Sequence, residues 1–165
     1  MPAPKAFVLR KPSIIFTPDA APATPIDLSC FFRAAGFSSD VDDVDTSTFC
    51  APTASEPGKE TRKFETTAVW SFGTDGLVTV LWPHSLKSGS IAYIPDSAAA
   101  VSVDNPEFTF TTTIPPIVPH PKTDQGDVAT EDLEFGVNSD ITMDTTGGVT
   151  RTATESDTSD KGKAA

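Results

Sequence analysis

Apolar residues recur at every second position in several stretches of this chain, and that period decides what it can fold into. Ile26, Leu28, Cys30, Phe32 and Ala34 alternate with Asp27, Ser29, Phe31 and Arg33. A β-strand turns successive side chains to opposite faces, so this spacing predicts a half-buried strand. A short helix through Leu28, Phe31, Phe32 and Ala35 competes with it; the cleaner alternation and Gly36 favour the strand. The period returns in "TRKFETTAVWSF", with Phe64, Thr66, Ala68, Trp70 and Phe72 on one face. It returns again in "VATEDLEFGV", whose apolar positions are Val128, Leu133, Phe135 and Val137. "SGSIAYIPD" reads as a strand ending at Pro95, and "AAAVSVDNPEFTFTTTI" as strand, Asn-Pro turn, strand.

Prolines punctuate this pattern. Six fall in the first 25 residues, a density that forbids helix and predicts an extended N-terminal arm over 1–25. "APTASEPGKE", residues 51–60, reads as a loop. So does "PPIVPHPKTDQGD", where four prolines in seven residues are incompatible with a sheet interior. "GTDGLVTVLWPHS" is open: Asp75 suits the cap of a helix presenting Leu77, Val80 and Leu81, while β-branched Val78, Thr79 and Val80 prefer a strand. After Thr145 the chain holds one valine and no larger apolar residue. Such a segment buries too little surface to offset its ordering entropy and reads as a polar arm over 146–165. The sum is one mainly β domain over 26–145, a sandwich or barrel of six to eight short strands with at most one helix.

With 23 Asp and Glu against 12 Lys and Arg, the net charge is −11. A surface that grips nucleic acid needs a basic stripe to displace counterions, so DNA should be repelled. No run of 18 apolar residues is present to span a membrane. The opening "AFVL" is too short for a signal-peptide core, which points to a reducing compartment. Cys30 and Cys50 are then expected as free thiols, buried as small hydrophobes.

The densest charge lies in "SSDVDDVDTSTFC", where Asp40, Asp42, Asp43 and Asp45 fall within six positions. An EF-hand loop needs Gly at position 6 and Glu at position 12. Counting from Asp40 these are Asp45 and Ala51; counting from Asp43 they are Thr48 and Ala54. The register fails twice, leaving a solvated acidic strand or a weaker site of scattered oxygens. Chemistry elsewhere is sparse. His84 and His120 lack the second His or neighbouring Cys that would make a ligand pair, and both read as turn residues. Glu131, Asp132 and Glu134 read as polar positions on a strand's wet face, and Trp70 and Trp82 as core anchors. Neither a nucleophile elbow nor a glycine-rich phosphate loop is present. No catalytic, cofactor or metal residues are therefore assigned, and no enzyme activity is expected.

The succession "DVDDVDTSTFC", "KFETTAVWSFGTDGL", "LWPHSLKSGSIAYIPDSAAAVSVDNPEFTF" and "GDVATEDLEFGV" resembles the major tail tube protein of long-tailed bacteriophages, most of all those of actinobacterial phages. The resemblance spans about residues 26–145, and "PDSAAAVSVDNPEFTF" followed by the proline-rich loop and "GDVATEDLEF" is its most specific part. It implies a β-sandwich with one short helix, placed at "DGLVTVLWP". It further implies homo-oligomeric hexameric rings stacked into a tube alongside other tail proteins, assembled in the host cytoplasm and carried in the virion. Genomic DNA would pass through the lumen without specific binding. The arms and the loop at 51–60 would reach neighbouring rings, although that loop is short and carries proline. Asp40, Asp42, Asp43 and Asp45 become candidates for the lumen or the ring interface. Six copies would carry a formal −66, six times −11, and salt screens charge only beyond ~8 Å, so a bore lined by Asp and Glu is expected. The competing reading is an immunoglobulin-like decoration or adhesion module working through the loops at 51–60 and 115–127; a small β-rich hydrolase is a distant third.

Overall fold

In the computed structural model, which describes residues 9–45, 55–146 and 150–151, nine strands and one short helix follow one another. They are β1 (Ser13–Pro18), β2 (Ile26–Asp27), β3 (Phe32–Asp45), β4 (Ser55–Val69), α1 (Leu77–Leu81), β5 (Ser88–Ile94), β6 (Glu107–Thr113), β7 (Thr130–Val137), β8 (Thr142–Asp144) and β9 (Thr150–Arg151). The mainly β expectation with one short helix holds. All strands join one antiparallel sheet in the order β2-β1-β5-β6-β7-β4-β3, with β8 also on β6 and β9 on β8.

The sheet curls at β6 and β7. β6 pairs with β7 only through Thr112↔Val137 and Thr113↔Gly136, while Glu107–Thr109 pairs with β8. Before that contact β7 runs along β4, from Val69↔Thr130 to Lys63↔Gly136. The chain then bends at Asn138, whose amide donates to Thr111 O, and at Ser139, whose hydroxyl accepts from Thr111 N. A strand that switches partners through such a bend makes the corner between two halves of a sheet. Between the halves lies an aromatic core. The Phe64 ring from β4 meets Tyr93 at 5.1 Å and Phe110 at 5.3 Å, across strands with no hydrogen bonds between them. Phe37 is partly exposed, yet it completes the cluster at 5.0 Å from Phe64 and 5.4 Å from Phe110. Ile14, Phe16, Ile91, Leu133 and Phe135 extend this interior.

Several departures from the sequence reading have local causes. Ser13–Pro18, expected within an extended arm, forms β1 between β2 and β5 and buries Ile14 and Phe16; Pro12 and Pro18 sit at its ends, where a missing amide costs least. Gly89 faces Phe16 so closely that a Cβ there would lie 2.4 Å from its ring. The strand expected from Ile26 to Ala34 is interrupted by a 3-10 turn at Ser29–Phe31. There the Asp27 carboxylate accepts from both the amide and the hydroxyl of Ser29, and that hydroxyl accepts from Ile14 N. Such short side-chain bonds compete with a strand ladder.

Residues 55–60, read as loop, belong to β4 despite Pro57 and Gly58. This end of β4 has β3 on one side and no β7 partner on the other, and its register shifts beside Pro57, which suits proline. Residues 98–103, read partly as strand, form turns held by buried Asn105. Its Nδ2 donates to Asp96 O at 2.8 Å, Ala99 O at 3.2 Å and Ala100 O at 3.3 Å, and its Oδ1 accepts from Asp96 N at 3.1 Å.

α1 is capped by Gly76 rather than Asp75. The Ser71 hydroxyl takes the Leu77 amide, the Thr79 hydroxyl donates to Gly73 O, and Leu77 and Leu81 insert into the core. Burying that i, i+4 pair outweighs the strand preference of Val78, Thr79 and Val80. Trp70 is an anchor as expected, its indole donating to Val118 O at 3.2 Å. Trp82, expected likewise, is 45% exposed, and Phe72 and Val128 also face outward. The short strand β9 falls within the segment read as a polar arm.

Candidate functional site

Two pairings align residues from three strands on the sheet surface opposite Phe64 and Thr66. β3 against β4 sets Gly36 opposite Glu65, Ser38 opposite Lys63 and Asp40 opposite Thr61. β4 against β7 sets Glu65 opposite Glu134 and Thr67 opposite Asp132. The face therefore carries the carboxylates of Asp40, Glu65, Asp132 and Glu134 with the amine of Lys63, among small residues. A shallow groove of about 380 Å³ runs over Ala34, Gly36, Glu65, Thr67, Asp132 and Glu134.

Like charges directly across strands destabilise a sheet, and here neighbouring donors offset the Glu65 and Glu134 pair. Ser38 Oγ donates to Glu65 Oε1 at 2.6 Å, Lys63 Nζ to Glu134 Oε2 at 2.7 Å, and Thr67 Oγ1 to Asp132 Oδ1 at 2.7 Å. The Glu134 carboxylate, with smaller contributions from Glu65 and Asp40, holds the Lys63 ammonium above its ordinary pKa. With four carboxylates against one ammonium, the face presents an ordered, negative wall.

Past Lys63, β4 parts from β7, and residues 38–45 and 55–62 continue as a two-stranded ribbon. Asp40 and Asp42 lie exposed on it. Asp43 and Asp45 occupy β3 positions opposite Pro57 and Ser55. Between Val41↔Glu60 and Asp43↔Pro57, β3 advances two residues and β4 three, a bulge that increases twist. Arg62 clamps Glu60 through bonds of 2.9 and 2.7 Å, which lowers the Glu60 pKa. Residues 46–54, including Cys50, lie outside the described residues.

The wall adds Glu65 to the acids singled out from sequence. Its position was implicit in the alternation that sent Phe64 and Thr66 inward, but its meeting with Glu134 depends on strand register, which no local pattern shows. Asp132 and Glu134 share the wet face as expected. Glu131 does not: it lies opposite Ala68, with Oε2 buried and lacking a hydrogen-bond partner. The histidines stand apart from one another's neighbours. His84 packs edge-on to Phe16 at 6.0 Å with a buried Nδ1, and burial followed by the Lys87 charge lowers its pKa. His120 stacks on Phe72 at 6.0 Å. Cys30 is a free thiol but exposed, contrary to the expected buried position. Among the described residues, no group of three or more His, Cys, Asp or Glu is placed to hold a metal ion, and no helix is long and apolar enough to cross a membrane.

No protein-family model matches the chain, and no curated protein matches it in sequence. In structure it is similar to a chain of the anti-feeding prophage baseplate, determined by cryo-electron microscopy with six-fold symmetrisation. The TM-score is 0.53 at 12% identity, over 89% of this chain and 100% of that one. The likeness is one of fold.

Proposed function

We propose that this chain is a phage-type virion structural protein whose copies close into six-membered rings, and that the rings stack into the hollow tube of a phage tail. The observation that carries the reading is the shared fold with a component of a six-fold prophage baseplate over that component's whole length. It agrees with the independent tail tube resemblance of residues 26–145.

The edges of the sheet supply a means of ring closure. β3 ends the strand order with a 14-residue strand, whereas β2 at the other end has two residues. An unpaired edge is a template for a strand of another copy, and two unlike edges favour head-to-tail contacts, which close into a ring when the rotation permits. The acidic wall of β3, β4 and β7 is then the surface that faces the bore. Its carboxylates keep a polyanion from adhering, so DNA slides rather than binds. Asp40 belongs to that wall, while Asp42, Asp43 and Asp45 continue along the ribbon toward a ring interface.

Negative-stain microscopy of purified protein over a range of concentrations tests the reading. Six-fold rings or tubes are expected, with a lumen that excludes rather than retains added DNA. Persistent monomers would refute it and favour a decoration module; a net basic lumen would refute the role given to the wall.

A further inference from the structure

Between the start of β1 and the start of β3, two strands that share no ladder, lies a groove of about 570 Å³. Arg10, Lys11 and Arg33 line it, all exposed. The backbone sets them there. Between Phe32↔Ala68 and Ala34↔Thr67, β3 advances two residues and β4 one, so Arg33 is the extra residue of a bulge, a device that re-aims a side chain. Lys11 is held from the other side, its carbonyl accepting from Ser97 N at 2.8 Å. Arg62 and Lys63 each grip a glutamate, but among the described residues no carboxylate lies within ion-pairing distance of Arg10, Lys11 or Arg33. The hydroxyls of Ser13 and Ser97, in the same lining, also have no hydrogen-bond partner among the described residues. The one acid there, Asp27, has its Oδ1 taken by the amide and hydroxyl of Ser29. In a chain of net charge −11, this groove gathers donors that no acceptor of the fold satisfies.

We infer that this groove binds a small organic phosphomonoester, its phosphate on the cations and its organic part against the apolar side of the lining. The inference goes beyond the structural reading above and does not rest on ring formation. Charge sets the class of ligand. Three cations less the Asp27 carboxylate leave a formal +2, the complement of a phosphomonoester, which carries about −1.5 to −2 at pH 7. A single carboxylate would leave half of that charge unanswered. Geometry of the donors agrees: each guanidinium is a planar fork that matches two phosphate oxygens at once, and a serine hydroxyl can donate to another. The groove volume falls within the roughly 300–1,000 Å³ of small-molecule sites. Leu9, Pro12 and Phe32 complete the lining, an apolar side that bare phosphate leaves in water and an organic phosphate covers. Because the cations are exposed, the attraction weakens with salt.

Calorimetric titration of the full chain at low salt with phenyl phosphate, inorganic phosphate and benzoate tests the site. Phenyl phosphate is expected to bind at least about threefold more tightly than inorganic phosphate, and benzoate more weakly than either. Cys30 lines the groove with its thiol exposed and reports occupancy. Its alkylation by iodoacetamide, followed by mass spectrometry of the Cys30 peptide, is expected to slow at least about threefold at saturating phenyl phosphate, since access sets thiol reactivity. R10Q/K11Q/R33Q, with folding confirmed by tryptophan fluorescence, is expected to lose at least about tenfold in affinity and the protection of Cys30 with it. D27N keeps the oxygen that Ser29 needs and removes the opposing charge, so it is expected to bind phenyl phosphate more tightly than wild type. Unchanged affinity in the folded triple variant, weaker binding by D27N, or no protection of Cys30 at saturation overturns the site. Equal binding of phenyl phosphate and inorganic phosphate, both lost in the triple variant, supports the phosphate seat and overturns the organic part. An oligoglutamate peptide that binds more tightly than phenyl phosphate assigns the groove to an acidic protein and overturns the phosphate ligand.

Discussion

Asn105 is the point where a single side chain replaces a strand that the sequence pattern predicts. Its amide ties the turns at 96–100 to the start of β6, and it is 7% exposed. Replacing Asn105 by Ala removes the 2.8 Å bond to Asp96 O, strands the Asp96 amide that Oδ1 held at 3.1 Å, and loses a hydrogen shared between the carbonyls of Ala99 and Ala100. Two to three net bonds at about 1 kcal/mol each give a loss of about 2–3 kcal/mol. For a chain of this size that is a fall of roughly 5–10 °C in Tm. Asn105→Asp preserves shape but turns a charged oxygen toward three carbonyls, so about 3–5 kcal/mol is expected at pH 7. A carboxylate desolvated there has its pKa raised above the unfolded value near 3.9. The folded state then takes up the proton more readily, and the excess loss of the Asp variant shrinks as pH falls toward that range. Urea titrations followed by tryptophan fluorescence at pH 7 and pH 4 measure all three quantities. A loss below about 0.5 kcal/mol for the Ala variant, or an Asp variant no worse than Ala at pH 7, would refute the reasoning.

Phe64→Ala removes the ring shared by both halves of the sheet and should cost about 3–5 kcal/mol by denaturant titration; a cost near 1 kcal/mol would mean that the halves hold without it. Reversing the wall with Glu65→Lys, Asp132→Lys and Glu134→Lys should convert indifference to duplex DNA into binding that weakens steeply with salt, read by gel retardation. Equal, negligible binding by both proteins would remove the wall's electrostatic role. Burial lowers the His84 pKa, so the unfolded chain binds the proton more readily, and stability should fall as pH drops below about 6.5. His84→Gln should flatten that part of the pH profile, and an unchanged slope would assign the acid sensitivity elsewhere.

The parts of the fold legible in the sequence were those set by local period. Phe64, Thr66 and Ala68 facing inward, Leu133 and Phe135 doing the same, and the short strand before Pro95 all follow from alternation alone. Phe72 was misplaced because alternation says which residues share a face, not whether the strand continues far enough to cover them, and Trp82 because aromatic size alone does not say which way a residue in the 3-10 turn after α1 points. β1 was hidden by neighbouring prolines, although Ile14 and Phe16 carry the alternating signal. The helix over Leu77–Leu81 was open on propensity, and what decides it is core contact from outside the segment. For the candidate site, Asp40 and Asp42 were visible as charge, and Asp132 and Glu134 as wet-face positions. Their assembly with Glu65 into one wall depends on pairings across 27 to 71 residues of sequence, as the Ser38–Glu65 and Lys63–Glu134 bonds show.

The bend in which β7 leaves β4 for β6 has a consequence for biosynthesis. Every strand that β7 joins precedes it in the chain, so during translation the hairpin of β3 and β4 and the group of β1, β5 and β6 exist without the ladder that unites them. The wall receives Asp132 and Glu134 only when β7 arrives. A nascent chain therefore lacks the finished acidic surface until its synthesis is well advanced, because the order of the strands along the chain puts β7 after every strand it joins.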